Sequence, residues 1–350
     1  MALKRNWNID YLRIFACFMV VFLHVSAQNF YAMEPSSFQW QVFHFYNNAV
    51  RSAVPIFFMI SGCLFLSKEK MPSLKILFKK NIFKIVFLYF LWTLFYALDF
   101  AFINESAGLD FIKTVYKYFI NPKYHLWYMP ALVSVYLLLP ILWTIAKYDD
   151  GKYLKYACIM FLLFGVLKKT VLILPLHNLI EYLINRFTYN LSSYSGYFLL
   201  GYYLYKNINK IKSIKTYKLI LSLAAVIVVS WYTGLKYALY INEPSTLIYN
   251  NLMLPSCLEG ILLFSLFLKL PSLEMSPFWQ NIILKISKYT LLVYLFHVFV
   301  MQHLSLDFGI NTLTYNPLIS VPTISLFIFI VCLIFAFIVV CIPIIRKLIM

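Results

Sequence analysis

Stretches of about twenty mostly apolar residues recur along almost the whole chain, near 9–30, 50–67, 82–103, 127–146, 156–174, 191–205, 217–235, 252–270, 286–306 and 318–343. Each approaches the ~20 residues that an α-helix needs to cross the hydrocarbon core of a bilayer. A soluble fold has nowhere to hide this much oil. Hydrophobic residues make up 62% of the chain and charged ones 12%, against roughly 45–50% and 25% in soluble domains. The expected fold is therefore all-α: a polytopic membrane protein of about ten transmembrane helices. The stretch at 191–205 is short and aromatic, and its start is the least defined. No shift in composition divides residues 1–350, so a single transmembrane domain is expected, with its longest connection at 104–126.

The formal charge of +17 invites a nucleic-acid reading until the charges are placed. With the N-terminus in the cytoplasm, the inner connections carry 21 of the 30 Lys and Arg residues, the outer ones carry eight, and Arg13 lies inside the first stretch. That asymmetry is the positive-inside pattern, and it puts both termini in the cytoplasm. The basic excess then reports topology and contact with membrane lipids, and no nucleic acid is expected as a partner. All six cysteines lie in apolar stretches without a C-x-x-C pair, so they read as small buried hydrophobes. The first stretch is too long for a cleavable signal peptide and carries Asp10 and Arg13.

Ionisable groups inside a membrane segment are costly and point to function. The first stretch holds Asp10, Arg13 and His24. Arg13 and His24 are eleven residues apart, about three helical turns, so they share a face at a separation of ~16 Å. Asp10 is close enough to pair with Arg13. On spacing alone two readings stand: a polar face that binds and reacts, or an interfacial ion pair with a histidine satisfied by a neighbouring helix.

Four segments shift that balance. "IDYLRIFACFMVVFLH" (9–24), "RSAVPIFFMISGCLF" (51–65), "HLWYMPALVSVYLLLP" (125–140) and "SKYTLLVYLFH" (287–297) resemble, in order, the signature segments of the acyltransferase type 3 family of bacterial membrane O-acyltransferases. The chain is similar to its single-domain branch, which O-acetylates surface polysaccharides. The resemblance implies acetyl-CoA as co-substrate with no bound cofactor, a glycan or lipid-linked sugar as acceptor, and the bacterial cytoplasmic membrane as location. It implies His24 as catalytic base or acyl carrier, roles that suit an imidazole with an ordinary pKa of ~6.5. It implies Arg13 as a catalytic-site contact for the phosphates of acyl-CoA, and Asp10 as the residue orienting it. Arg51, Ser61, Trp127, Tyr128 and His297 become substrate-binding candidates, with Gly62 allowing close helix approach. Trp127, Tyr128, Tyr289 and Tyr294 have the alternative reading of an interfacial aromatic belt, Phe57 and Phe58 that of ordinary packing, and Arg51 that of a helix-end charge. His44, His177 and His303 are expected to be ordinary residues near outer loops, with His125 intermediate. Six histidines without ligand spacing give no metal site. A transporter or flippase using Arg13 and His24 as its coupling site, a membrane-bound sensing module and transfer of another acyl group such as succinyl are the rival readings.

Overall fold

The computed structural model describes residues 6–104, 107–171, 173, 194–271, 275–343 and 346. Among them there is no β-strand. The helices used below are α1 (Trp7–Ala27), α2 (Phe38–Ala49), α3 (Ala53–Leu66) and α4 (Leu74–Ile103). Next come α5 (Gly108–Ile120), α6 (Tyr128–Leu137), α7 (Leu139–Lys147), α8 (Lys152–Met160) and α9 (Tyr194–Lys206). The last four are α10 (Thr216–Ile241), α11 (Leu254–Lys269), α12 (Pro277–Leu306) and α13 (Pro317–Val340).

Among the described residues, six helical stretches are long and apolar enough to cross a membrane, and a bent pair makes up to seven. The six match the expected stretches at 9–30, 50–67, 82–103, 217–235, 286–306 and 318–343, usually with added turns at one end. The remaining four explain why the number is lower than ten. Those at 127–146 and 156–174 fall in the bent pair Gly108–Leu137 and Leu139–Val171, which turns through 56°. Pro140, in the first turn of α7, has no N–H to continue the helix ladder, the usual cause of such a bend. Of the other two, the described part of one forms α9, and the other forms α11, whose 16 residues fall short of the ~20 of a straight full crossing. His177 and Arg186 lie outside the described residues.

The helix α1 runs through the centre of the bundle, against α2, α3, α11, α12 and α13. Its sequence is apolar on nearly every side, as a helix enclosed by others should be, and Leu12, Ala16, Val21 and Val25 are completely buried. Its first turn is closed by Asn6, whose side chain accepts a hydrogen bond from the Asn8 amide at 3.1 Å. The Asn8 side chain then donates to the Leu270 carbonyl at the end of α11, at 2.8 Å. The peripheral helices behave differently. Val228 and Val229 on α10 and Ile330, Ile334 and Phe337 on α13 are exposed. Apolar faces of that size call for lipid as their solvent.

The helices α3 and α9 approach each other backbone to backbone. A Cβ added at Gly62 would stand 1.8 Å from the Phe198 carbonyl oxygen, and one at Gly201 would stand 2.1 Å from the Met59 carbonyl oxygen. Each helix thus presents a glycine to the other's backbone, the small-residue solution to helix packing in lipid. The long connection read at 104–126 contains α5. Leu109, Ile112, Tyr116 and Ile120 lie on one exposed stripe of that helix, and the opposite side meets α4 through the Phe100–Tyr118 and Phe102–Phe111 ring pairs. Replacing Gly62 by Leu is expected to prevent this packing, since the obstacle is backbone and cannot rotate away. The cost exceeds the ~1–3 kcal/mol of ordinary overpacking. It would be read as loss of folded protein and a lower thermal midpoint in detergent, with Gly62→Ala the milder of the two.

Candidate functional site

Two helices far apart in sequence build the centre of the site. Near the start of α1, the Ser287 hydroxyl of α12 donates to Asp10 Oδ1 at 2.7 Å and lies 3.4 Å from Arg13 Nη1, which donates to it. Three turns further along, His24 Nδ1 lies 2.7 Å from His297 Nε2, with the rings stacked at 4.9 Å. Because 13 pairs with 287 and 24 with 297, α1 and α12 run parallel. The eleven-residue step on one helix meets a ten-residue step on the other.

The tautomers follow from the partners. His297 Nδ1 lies 2.7 Å from the Tyr294 carbonyl oxygen, which can only accept, so Nδ1 carries the proton of a neutral ring. His297 Nε2 is then the acceptor, and the proton between the two imidazoles belongs to His24 Nδ1. That leaves His24 Nε2 with its lone pair unprotonated. A hydrogen-bond chain of His24, His297 and a main-chain carbonyl therefore orients one basic nitrogen. The same triad logic, a base held by a second group that fixes tautomer and direction, recurs in unrelated acyl-transfer enzymes.

A cavity of about 780 Å³ lies beside this chain. Arg13, Ser61, Tyr128, Ser287 and Lys288 line it, as do His24, Arg51 and Trp127. One space thus joins Arg13 to His24. Arg51 sits in the break between α2 and α3. Its Nη1 donates to Asn47 Oδ1 at 3.0 Å, and the Tyr249 ring lies 5.9 Å from its guanidinium carbon. Tyr128 packs against Phe58 at 5.0 Å and Tyr294 at 5.6 Å. Trp127 is 40% exposed and touches Tyr194. Phe57 reaches the cavity wall, whereas Phe58 is wholly buried.

The structure therefore brings together seven of the eight residues singled out from the sequence as wall or immediate backing of this cavity: Arg13, His24, Arg51, Ser61, Trp127, Tyr128 and His297. The eighth, Asp10, is buried one layer behind, reaching Arg13 through Ser287. His44 departs from its expected place. It is a buried residue of α2, stacked on Trp40 at 4.6 Å and bonded to the Tyr249 hydroxyl and the Trp231 carbonyl. One nitrogen ties α2 to α10 and the other ties it to the turn at Leu247–Tyr249. His303, close to the end of α12, bridges Asp99 at 2.9 Å and Asp307 at 2.8 Å. Tyr294 is no interfacial anchor, being buried with its hydroxyl donating to the His125 carbonyl at 2.5 Å.

Three further residues bear on the site. Lys288 reaches the cavity beside Ser287. Glu259 on α11 is completely buried within the electrostatic field of Arg51. The rule that flagged Arg13, an ionisable group inside an apolar stretch, points to Glu259 equally well. His125 belongs to the histidine cluster, with its ring 5.3 Å from His297 and 6.3 Å from His24.

Histidines gathered at a cavity inside a bundle with six to seven candidate membrane spans mark a multi-pass membrane protein, and the family follows from the whole length of the chain. The sequence model described as the acyltransferase domain matches residues 6–346, so the chain belongs to the acyltransferase type 3 family. No curated protein and no solved structure gave a significant match.

The imidazole pair makes a separable prediction. His297→Phe removes the acceptor that fixes the His24 tautomer while keeping an aromatic ring against Tyr294. Acyl transfer is expected to fall about 10²-fold or more, in the range of a lost acid–base contribution, with the protein still present in the membrane. Activity assays on membranes normalised by immunoblot would check it.

Proposed function

We propose that the protein transfers an acetyl group from cytoplasmic acetyl-CoA to a sugar hydroxyl of a surface polysaccharide or its lipid-linked precursor. What carries the reading is a single cavity that joins the Arg13 guanidinium to the unprotonated Nε2 of His24. The donor and the acceptor present different demands, and the two ends meet them. A guanidinium matches the phosphates of the CoA nucleotide in charge and geometry. A pantetheine arm is long enough to carry the thioester along the ~16 Å from Arg13 to His24. At that point a hydroxyl needs a base, and a properly oriented imidazole supplies one.

On this reading the ten apolar stretches are ten passages of the chain, some broken or short, with both termini in the cytoplasm. The protein sits in the bacterial cytoplasmic membrane. Arg13 and Lys288 then face the donor side and His24 lies deeper, towards the acceptor. The aromatic and amide groups further out, Trp127, Tyr31, Gln28 and Asn251, suit a sugar, which offers C–H faces for rings and hydroxyls for amides. Arg51 completes the acceptor side. His24 acts as the base: its Nε2 takes the hydroxyl proton as the sugar oxygen attacks the thioester carbonyl. His297 stabilises the imidazolium formed, because its own Nε2 already accepts from His24 Nδ1.

Two measurements test the reading. His24→Ala is expected to abolish O-acetylation while leaving the protein in the membrane, seen as disappearance of O-acetyl signals in NMR spectra of the surface glycan. Unchanged signals would sink the assignment. Arg13→Lys keeps the charge but loses the fork. The expected result is a KM for acetyl-CoA raised about tenfold, a loss of ~1.4 kcal/mol in binding, with a smaller change in kcat. A transporter using the same residues would show no acetyl-CoA turnover when purified.

A further inference from the structure

The helix α4 meets α12 beside the histidine pair, and one of its side chains enters the α12 backbone. The Tyr96 hydroxyl donates to the Leu295 carbonyl at 2.8 Å and accepts from the Phe299 amide at 3.2 Å. Those two main-chain groups are four residues apart, each the other's partner in an uninterrupted α-helix. A side chain inserted into that ladder is one of the few things that redirect a helix locally. The bridged turn contains His297, whose Nδ1 is bonded to the Tyr294 carbonyl and whose Nε2 meets His24. The turn also receives the His125 ring, which has the Leu295 carbonyl as its main-chain partner and packs edge-on against Tyr96 at 5.1 Å.

Packing does not ask for a hydroxyl at this point. Tyr96 is buried, and a buried hydroxyl has to find a partner to avoid a cost. Phenylalanine carries no such demand, and α4 uses it one residue earlier, where Phe95 rests on Phe299 at 5.2 Å. One turn further along, Asp99 of α4 bonds His303 of α12 at 2.9 Å. The two polar contacts advance together along both helices, so α4 runs parallel to α12, and Tyr96 grips it at the level of His297.

We infer that Tyr96 is a positioning residue for acyl transfer: its hydroxyl holds open the α12 turn that presents His297 to His24, and so fixes the direction of His24 Nε2. The inference rests on the acyl-transfer reading above and adds to it a residue that is not part of the cavity wall. Without the hydroxyl, the Leu295 carbonyl and the Phe299 amide turn to each other, and the turn closes over the space the oxygen occupied. His297 then shifts against a ring that it meets at 2.7 Å. A displacement of ~1 Å at such a place is enough to cost about 10² in rate.

The test uses the full-length protein in lipid nanodiscs, with radiolabelled acetyl-CoA as donor and native membranes from a strain lacking the protein as acceptor. Tyr96→Phe removes the hydroxyl and keeps the ring. Its kcat is expected to fall about 10–100-fold, with the KM for acetyl-CoA within about threefold of wild type and the thermal midpoint within about 5 °C. On a His297→Phe background the same substitution should lower kcat by less than about twofold, because the group it positions is gone. A kcat within about threefold of wild type overturns the inference. So does a loss confined to KM, an equal fold-loss on both backgrounds, or a loss that comes with a larger fall in thermal midpoint. A second readout needs no turnover. In nitrogen NMR spectra of nanodisc samples labelled at histidine, the His297 Nε2 signal is identified by its absence from His297→Phe. In Tyr96→Phe it should move towards the position of an imidazole nitrogen without a hydrogen bond, and an unchanged signal overturns the inference. Absence of transfer by the wild type overturns the acyl-transfer reading and the catalytic part of this inference together, an outcome the NMR arm tells apart from failure of the Tyr96 contact.

Discussion

The site depends on one parallel helix pair. α1 and α12 touch along their length, and polar contacts clamp the pair at two levels: Asp10 and Arg13 against Ser287, and His24 against His297. Neither clamp would be formed by a helix sliding one turn, because both steps must match together. Between the clamps the contact is close enough that Cys17 Sγ lies 3.5 Å from the Thr290 carbonyl. In a bilayer, hydrophobicity gives helices little preference for one another over lipid, so packing and interhelical hydrogen bonds select the partner. The residues that suit the chemistry are in this case also the residues that fix which helices meet.

Around the pair, the other elements act as walls. The glycine crossing of α3 and α9 brings the Ser61 turn to the cavity and lets Tyr194 stack on Phe58 at 4.6 Å. The break at 50–52 between α2 and α3 sets Arg51 at the cavity edge, where Asn47 receives it. Asn47 in turn donates to the Ser26 hydroxyl of α1 at 3.4 Å, so the arginine is tied back to the helix carrying His24. The 3₁₀ turn before α6 inserts His125 from a third direction. The cavity sets a few charged and polar groups among largely apolar walls, and a polar group buried in such a place needs a partner, from the protein or from what it binds.

Much of this was legible in the sequence because lipid imposes a simple code. Apolar length announced the helices, and the four signature segments announced the family over nearly the whole chain. The eleven-residue step from Arg13 to His24 gave the correct shared face. The span count was harder, since hydropathy sees composition and not continuity: Pro140 breaks one stretch, and α11 is shorter than a full straight crossing. The pairing of His24 with His297 needed the third dimension, for nothing in either segment names the other as its neighbour. His44 shows the opposite limit. A histidine expected to be an ordinary residue near an outer loop is instead buried by helix α2 against α10. Glu259 obeys the rule that marks Arg13, an ionisable group inside an apolar stretch, although its own stretch carries no signature segment.

The parallel clamp has a consequence for biogenesis. Asp10 and Ser287 are 277 residues apart, and His24 and His297 are 273. A chain growing at ~5–20 residues per second therefore threads α1 into the membrane roughly 14–55 s before α12 exists. During that interval His24 is without His297, and Asp10 and Arg13 are without Ser287. The cavity gains its Ser287 and Tyr294 wall only when α12 arrives, so the growing chain has no complete cavity until that helix has been made.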